Sequence, residues 1–402
     1  MKARIATIGS ISEQIRGVTY AKGDSSSTLR PGLLPILRAG NISDAGISFN
    51  DLVYVPEGKI AAKQMLRKGD ILVAASSGSL DVVGKAAQLR NDFDGAFGAF
   101  CKVIRPSSSV DSRYLGHFFT TSEYRRRVSA LAAGANINNL KNGHLDDLMI
   151  WLPPLDEQRR IADVLDRVDA LREKRRRAIA LLDDLAQSIF LDMFGDPVRN
   201  DRGWSWSTVD DFVQEFQSGK SLAAGGDEKV NEFRILKISA VTSGIFDPRE
   251  SKPAPAGYRP PDSHLVVEGD LLFSRANTAE LIGATALVDG APENLALPDK
   301  LWRFVWHRPL RANPIFVHYL FAQPTFREQI GRASTGSSGS MKNISQGKVM
   351  ALRTGLPPLE LQVRFAERVG ALHATRNRHK AHIAELDALF ASLQSRAFRG
   401  EL

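Results

Sequence analysis

Cysteine is nearly absent: Cys101 stands alone in 402 residues. An intramolecular disulfide is impossible and a multi-cysteine zinc site is excluded, which points to a reducing compartment. No run of about 18 apolar residues occurs, so no segment reads as a membrane span. The start, Met1-Lys2-Ala3-Arg4-Ile5, leads into no apolar stretch of the signal-peptide kind. Together these features give the expectation of a cytoplasmic protein. Signs of wholesale disorder are missing too: 43% hydrophobic and 24% charged residues are an ordinary globular balance. The length suggests two or three domains. The formal net charge of +8 favours a polyanionic partner such as nucleic acid, though only mildly.

Catalytic signatures are equally scarce. Gly219-Lys220-Ser221 looks like the tail of a phosphate-binding loop, but that loop needs a glycine where Gln214 stands. There is no HExxH and no GxSxG. His379 and His382 lie on a charged helical face, where histidine is usually solvated. Asp146-Asp147 and Asp183-Asp184 are adjacent pairs, which do not share a helix face. The Asn/Asp-Pro-Pro-aromatic tetrad of amino-methyltransferases does not occur. A site assembled from scattered residues stays open as an alternative.

What the chain does contain, it contains twice. Leu152-Pro153-Pro154-Leu155 returns as Leu356-Pro357-Pro358-Leu359, an offset of 204 positions. At the same offset Gln158 and Arg160 match Gln362 and Arg364. Upstream, Gly69-Asp70-Ile71-Leu72 matches Gly269-Asp270-Leu271-Leu272, Ile36-Leu37-Arg38 matches Ile235-Leu236-Lys237, and Asn139-Leu140 matches Asn343-Ile344. The order is kept and the offset drifts little. That describes two copies of a globular unit followed by a helix. Within each copy, short apolar runs behind glycine turns read as strands of a mixed α/β domain. Residues 334–340 and 132–138 read as matching glycine- or alanine-rich loops.

Each Leu-Pro-Pro-Leu must be extended, because a residue before proline avoids the α region. A long helical pattern follows, free of proline and glycine from Leu155 to Met193 in the first copy. Asp156 and Glu157 suit the positive end of its dipole. Ile161, Leu165, Val168, then Ile179 and Leu182, alternate spacings of three and four, as do Phe365, Val369, Leu372, then Ile383 and Leu386. This is a coiled-coil seam. It breaks at one place in both copies, at Arg172 and Arg175 and at Arg376 and His379. At ~1.5 Å per residue such a helix is roughly 55–60 Å long, a spacer or docking rod rather than an ordinary core helix. The two helices are expected to pair antiparallel, giving a pseudo-twofold object. The basic run 172–177 is set in a helix whose acidic and basic residues balance, so a solvated mixed-charge face accounts for it as well as a nucleic-acid contact does.

A Leu-Pro-Pro-Leu-x-x-Gln helix after an α/β unit, all duplicated, resembles the DNA specificity (S) subunits of type I restriction–modification systems over essentially the whole chain. The resemblance implies two α/β target recognition domains at 1–153 and 196–356, joined by a central spacer helix at 154–195 and a C-terminal spacer helix at 357–402. It implies that each domain reads half of a bipartite double-stranded DNA target, and that the helices form an antiparallel coiled coil fixing the gap. The implied partners are two methylation (M) subunits and motor-nuclease (R) subunits. S-adenosylmethionine and ATP would sit on those partners and none on this chain, which would carry no active site and bind no metal. One departure is Leu361 where the first copy has Glu157, so contacts to M are expected to differ there.

The DNA-reading candidates are polar residues near glycine-rich loops and strand ends: Arg38, Asn41, Ser76, Ser77, Asn138 and Lys141 in the first copy, Lys237, Arg275, Asn277, Ser340 and Lys342 in the second. The helix–helix seam is expected at Ile161, Leu165, Val168, Leu182, Phe365, Val369, Leu372 and Leu386. The competing readings are a coiled-coil scaffold without DNA specificity and a fused restriction–methylation enzyme with a cryptic site.

Overall fold

A computed structural model describes residues 3–79, 81–132, 138–222, 232–336 and 341–402. The chain divides into two compact units, Met1–Arg177 with His379–Leu402, and Ala178–Arg378. Both cuts fall inside the long helices, Leu155–Phe194 and Leu359–Ala397. Each unit therefore consists of one globular domain and a segment of each helix.

The two domains share one plan. In the first, a four-stranded antiparallel sheet runs in the order Ser12–Arg16, Cys101–Pro106, Ile71–Ala74, Ala86–Gln88. In the second the order is Val213–Ser218, Leu301–Trp306, Leu271–Ser274, Thr285–Leu287. A three-stranded sheet accompanies each: around Leu33–Leu37 in the first domain and around Arg234–Leu236 in the second. A two-stranded ladder leads into each Pro-Pro turn, Arg4–Thr7 with Met149–Leu152 and Ser205–Thr208 with Arg353–Leu356.

The repeated motifs turn out to be joints of this plan. Gly69 and Gly269 take φ of +94° and +88°, a left-handed turn that favours glycine. The following aspartate folds back on the turn: Asp70 accepts from the Arg67 N–H at 2.8 Å and Asp270 from the Val267 N–H at 2.9 Å. Each carboxylate also holds an arginine of the neighbouring strand, Arg105 at 2.7 Å and Arg303 at 2.8 Å. Those arginines reach on to loop carbonyls, Met65 O in one domain and Ser263 O in the other. Burial works against the charge of such a carboxylate, raising the Asp270 pKa in spite of Arg303 and the Val267 N–H, so removing either partner of the pair would leave a buried charge uncompensated.

The glutamine of each Leu-Pro-Pro-Leu-x-x-Gln is buried. Gln158 donates to Pro153 O at 2.8 Å and accepts from the Asp111 N–H at 2.8 Å. Gln362 donates to Pro357 O at 2.8 Å and accepts from the Asn313 N–H at 2.9 Å. Asp111 and Asn313 are themselves N-caps, of the domain helices Ser112–Phe118 and Pro314–Ala322. So one side chain ties the start of the long helix to the start of a domain helix in both copies.

The helix segments pair antiparallel within each unit. In the first, Arg172 meets Asp387 and Arg175 meets His379; in the second, Arg376 meets Asp183 and Arg368 meets Met193. Ile161, Leu165, Phe365 and Val369 are fully buried and Val168 nearly so, while Leu182, Leu372 and Leu386 are half-buried. The partner helix alone does not cover the stripe. Ile161, Leu165 and Val168 share a core with Tyr114, Leu115 and Phe118 of the domain and with Phe390 and Ala397 of the other helix. In the second unit Phe365 and Val369 join Phe190, Phe194, Phe316 and Tyr319. Each seam is thus a three-way junction of two helices and a domain. Glu157 is half-exposed, with its carboxylate held below the ordinary range by hydrogen bonds from Arg160, whereas its counterpart Leu361 packs against the second core.

Candidate nucleic-acid interface

Next to the end of each central strand lies a second short ladder, and it gathers several of the polar candidates. In the first domain Ser76–Ser77 pairs antiparallel with Asn138–Asn139, Ser77 opposite Asn138. In the second, Ala276–Asn277 pairs with Lys342–Asn343, Asn277 opposite Lys342. The ladders are anchored alike. Ala75 O accepts from the Leu140 N–H at 2.8 Å, and Arg275 O accepts from the Ile344 N–H at 3.0 Å. Lys141 is exposed one residue past Leu140, while Ser76, Ser77, Asn277 and Lys342 are half-exposed. Ser340 lies outside the described residues.

Arg275 is partly committed. Its Nε donates to Asp299 O at 2.8 Å, its Nη2 lies 3.5 Å from the Asp299 carboxylate, and its guanidinium sits 5.8 Å from the Trp302 ring centre. Asn277 accepts from the Thr278 N–H at 2.9 Å, and among the described residues its amide nitrogen has only a long contact to Ser274 Oγ, 3.5 Å.

The other candidates belong to a different element, the short turn after the middle strand of the three-stranded sheet. Arg38 and Lys237 are the matching residues before this turn, and both are exposed. Arg38 donates to Asp51 O at 2.7 Å, and Lys237 faces Glu250 at 3.7 Å. Asn41 is a correction. It is buried, its Oδ1 accepts from the Arg38 N–H at 2.9 Å, and its Nδ2 donates to Ser48 O and Asn50 O at 3.0 and 2.8 Å. Its amide is used up in holding the turn, so no edge is free for a base.

Sequence reasoning missed three residues at the ladders. Phe100 is 69% exposed, and its carbonyl accepts from the Ala75 and Ser76 N–H groups at 2.8 and 3.1 Å. Lys300 holds the same position in the second copy, accepting from the Arg275 N–H at 3.1 Å. Lys102 donates to Asn142 Oδ1 at 2.7 Å, and burial together with nearby Arg16 pulls its pKa below the ordinary lysine value against the pull of Asp146. Phe100 was hidden because it continues an apolar run into the strand Cys101–Pro106 and so reads as core.

Gly219 also finds its explanation here. A Cβ there would meet Leu297 O at 1.7 Å, and its own N–H donates to Pro298 O at 3.1 Å. Close approach of two backbones demands this glycine, with no phosphate loop involved. Among the described residues no group of three metal-ligating side chains gathers, and no helix is long and apolar enough to cross a membrane.

Residues 5–181 match the family described as the type I restriction modification DNA specificity domain. The chain is 32% identical to the type I restriction enzyme EcoKI specificity subunit of Escherichia coli (strain K12), an alignment covering 99% of this chain and 89% of that one. It is 29% identical to the StySPI specificity subunit of Salmonella potsdam, over 99% and 88%. The fold is similar to the crystal structure of a type I restriction–modification S subunit from M. genitalium, with a TM-score of 0.55, 14% identity and coverage of 99% and 96%.

Proposed function

Since the chain belongs to the family of type I restriction–modification DNA specificity subunits, we propose that its two globular domains each read one half of a bipartite DNA target and that the paired helices set the gap between the halves. The observation that carries this reading is the duplicated ladder, two sets of polar side chains at equivalent places on two domains of one plan. Reading in the major groove would use Arg275 and Asn277 in the second domain and Ser76, Ser77, Asn138 and Lys141 in the first, with Lys342, Lys237 and Arg38 on phosphates. Bidentate arginine–guanine and asparagine–adenine pairs supply the discrimination, and phosphate contacts supply register without sequence information.

The chain itself performs no chemistry in this proposal. Methylation would come from two M subunits carrying S-adenosylmethionine, and ATP-driven cleavage from R subunits, all acting on DNA in the cytoplasm. Exposed leucines on the long helices support docking of two like partners: Leu185 and Leu389 are 204 positions apart and 45% and 46% exposed.

A heptad inserted at equivalent positions of both helices tests the spacer role. It lengthens each helix by ~10.5 Å, about three base pairs at ~3.4 Å each, and keeps the same face buried. The methylated target should keep its half-sites and gain that spacing. A variant that folds, binds M and still methylates at the original spacing would leave the helices as docking surfaces only.

A further inference from the structure

Where the seam breaks, each unit holds an arginine that links both helices and takes part in a tether to the domain. In the second unit Arg376 is 7% exposed. One of its nitrogens lies 3.3 Å from Asp183 on the other helix, and another lies 3.8 Å from Asp289 of the domain. In the first unit Arg172 binds Asp387 on the other helix at 2.5 Å and Asp169 on its own helix at 3.0 Å, with its guanidinium 4.5 Å from the Phe390 ring centre. Asp169 passes the link to the domain by holding Arg90 at 2.8 Å. Arg172 and Arg376 are 204 positions apart, and so are Asp183 and Asp387. Arg90 and Asp289 are also counterparts: each directly follows the residue whose N–H donates to the motif aspartate's carbonyl, Leu89 to Asp70 O and Val288 to Asp270 O.

Two features separate these nodes from ordinary stabilising contacts. The Arg376 Nε is buried with no hydrogen-bond partner among the described residues. Because a buried ion pair often fails to repay its desolvation, stability alone does not account for an arginine in that place. The polarity of the domain tether is also reversed between the copies: a domain cation meets a helix anion in the first unit, and a domain anion meets a helix cation in the second. Ionic contacts are directional, and like charges brought together are rejected. The helix cation Arg376 therefore accepts the Asp289 loop of its own domain and would reject a cation such as Arg90 in that place.

We propose that Arg172 and Arg376 are positioning residues for target reading. Each fixes the seat of its domain on the helix pair of its own unit, and so fixes how strictly the protein demands one spacer length. This rests on the helices acting as spacer.

The test uses the full chain assembled with its M subunits on a DNA library with native half-sites and spacers of native length or one base pair shorter or longer. The variants are Arg172→Met and Arg376→Met, with Arg90→Gln and Asp289→Asn beside them. The last two change side chains that are 56% and 47% exposed, where substitutions usually change stability little. The readout is the ratio of methylation at the native spacer to methylation at the altered ones. That ratio should fall by roughly two- to thirty-fold, the scale of coupling carried by such networks, while the half-site sequences stay the same. Arg90→Lys should recover most of it, because charge rather than size makes the tether. An unchanged ratio in the two exposed variants, with the heptad insertion still moving the spacer, overturns the proposal and leaves the spacer reading standing. Altered half-site sequences overturn it as well. A heptad insertion that does not move the spacer removes the reading on which the proposal rests.

Discussion

Replacing Gln362 by methionine keeps the volume of the side chain and removes both of its hydrogen bonds. The Asn313 N–H and the Pro357 carbonyl then lose their partner in a place where Gln362 itself has no exposed surface. An unsatisfied buried backbone group costs about 1–3 kcal/mol, so the pair should cost about 2–6 kcal/mol. With a urea m-value of about 2 kcal/mol/M the midpoint falls by about 1–3 M. Four of the five tryptophans, Trp204, Trp206, Trp302 and Trp306, lie in the second unit and Trp151 in the first, so tryptophan fluorescence is weighted toward the unit that is perturbed. Hydrogen exchange supplies the local readout: the Asn313 amide should lose protection while the Asp111 amide, held by Gln158 in the first unit, keeps it. A midpoint shift below about 0.3 M with unchanged Asn313 protection would refute the bridging role, since the freed groups would then be finding water at little cost.

Two further outcomes follow from the second unit. Burial first, then the charges of His373 and Arg376, lower the His318 pKa from 6.5 to about 4. The unfolded chain therefore binds a proton between those values that the fold refuses, so stability is full above pH 6.5 and declines as pH falls toward about 4. Thermal melting of His318→Gln across this range should show a flatter decline than the parent, and an identical pH profile would assign the acid sensitivity elsewhere. Arg275→Ala combined with Asn277→Ala should relax one half of the methylated sequence, at about 1–3 kcal/mol of lost discrimination per bidentate contact. Methylome sequencing that shows both halves intact, with affinity unchanged, removes this pair from the reading surface.

The duplication, the two long helices and their starting points were legible without a structure because each is written locally. Leu-Pro-Pro forbids helix and the stretch that starts with the next leucine permits little else. The alternation of three and four places the apolar stripe on one face whatever covers it. The paired Gly-Asp and Gln positions were legible as repeats, but their task as joints was not. Gln158 is meaningful only because Asp111, 47 positions earlier, offers it an N–H. The same limit applies to exposure. Asn41 and Phe100 have the composition of a surface residue and a core residue, and the fold assigns them the reverse, since burial depends on which distant element covers a side chain. The break in the seam shows the division most clearly. Sequence places Arg172 and Arg376 on the buried stripe, where an unpaired charge is costly. Their partners Asp387 and Asp183 lie 215 and 193 positions away. Only the antiparallel pairing of the helices brings each carboxylate to its guanidinium, because no local period in the chain encodes a separation of that length.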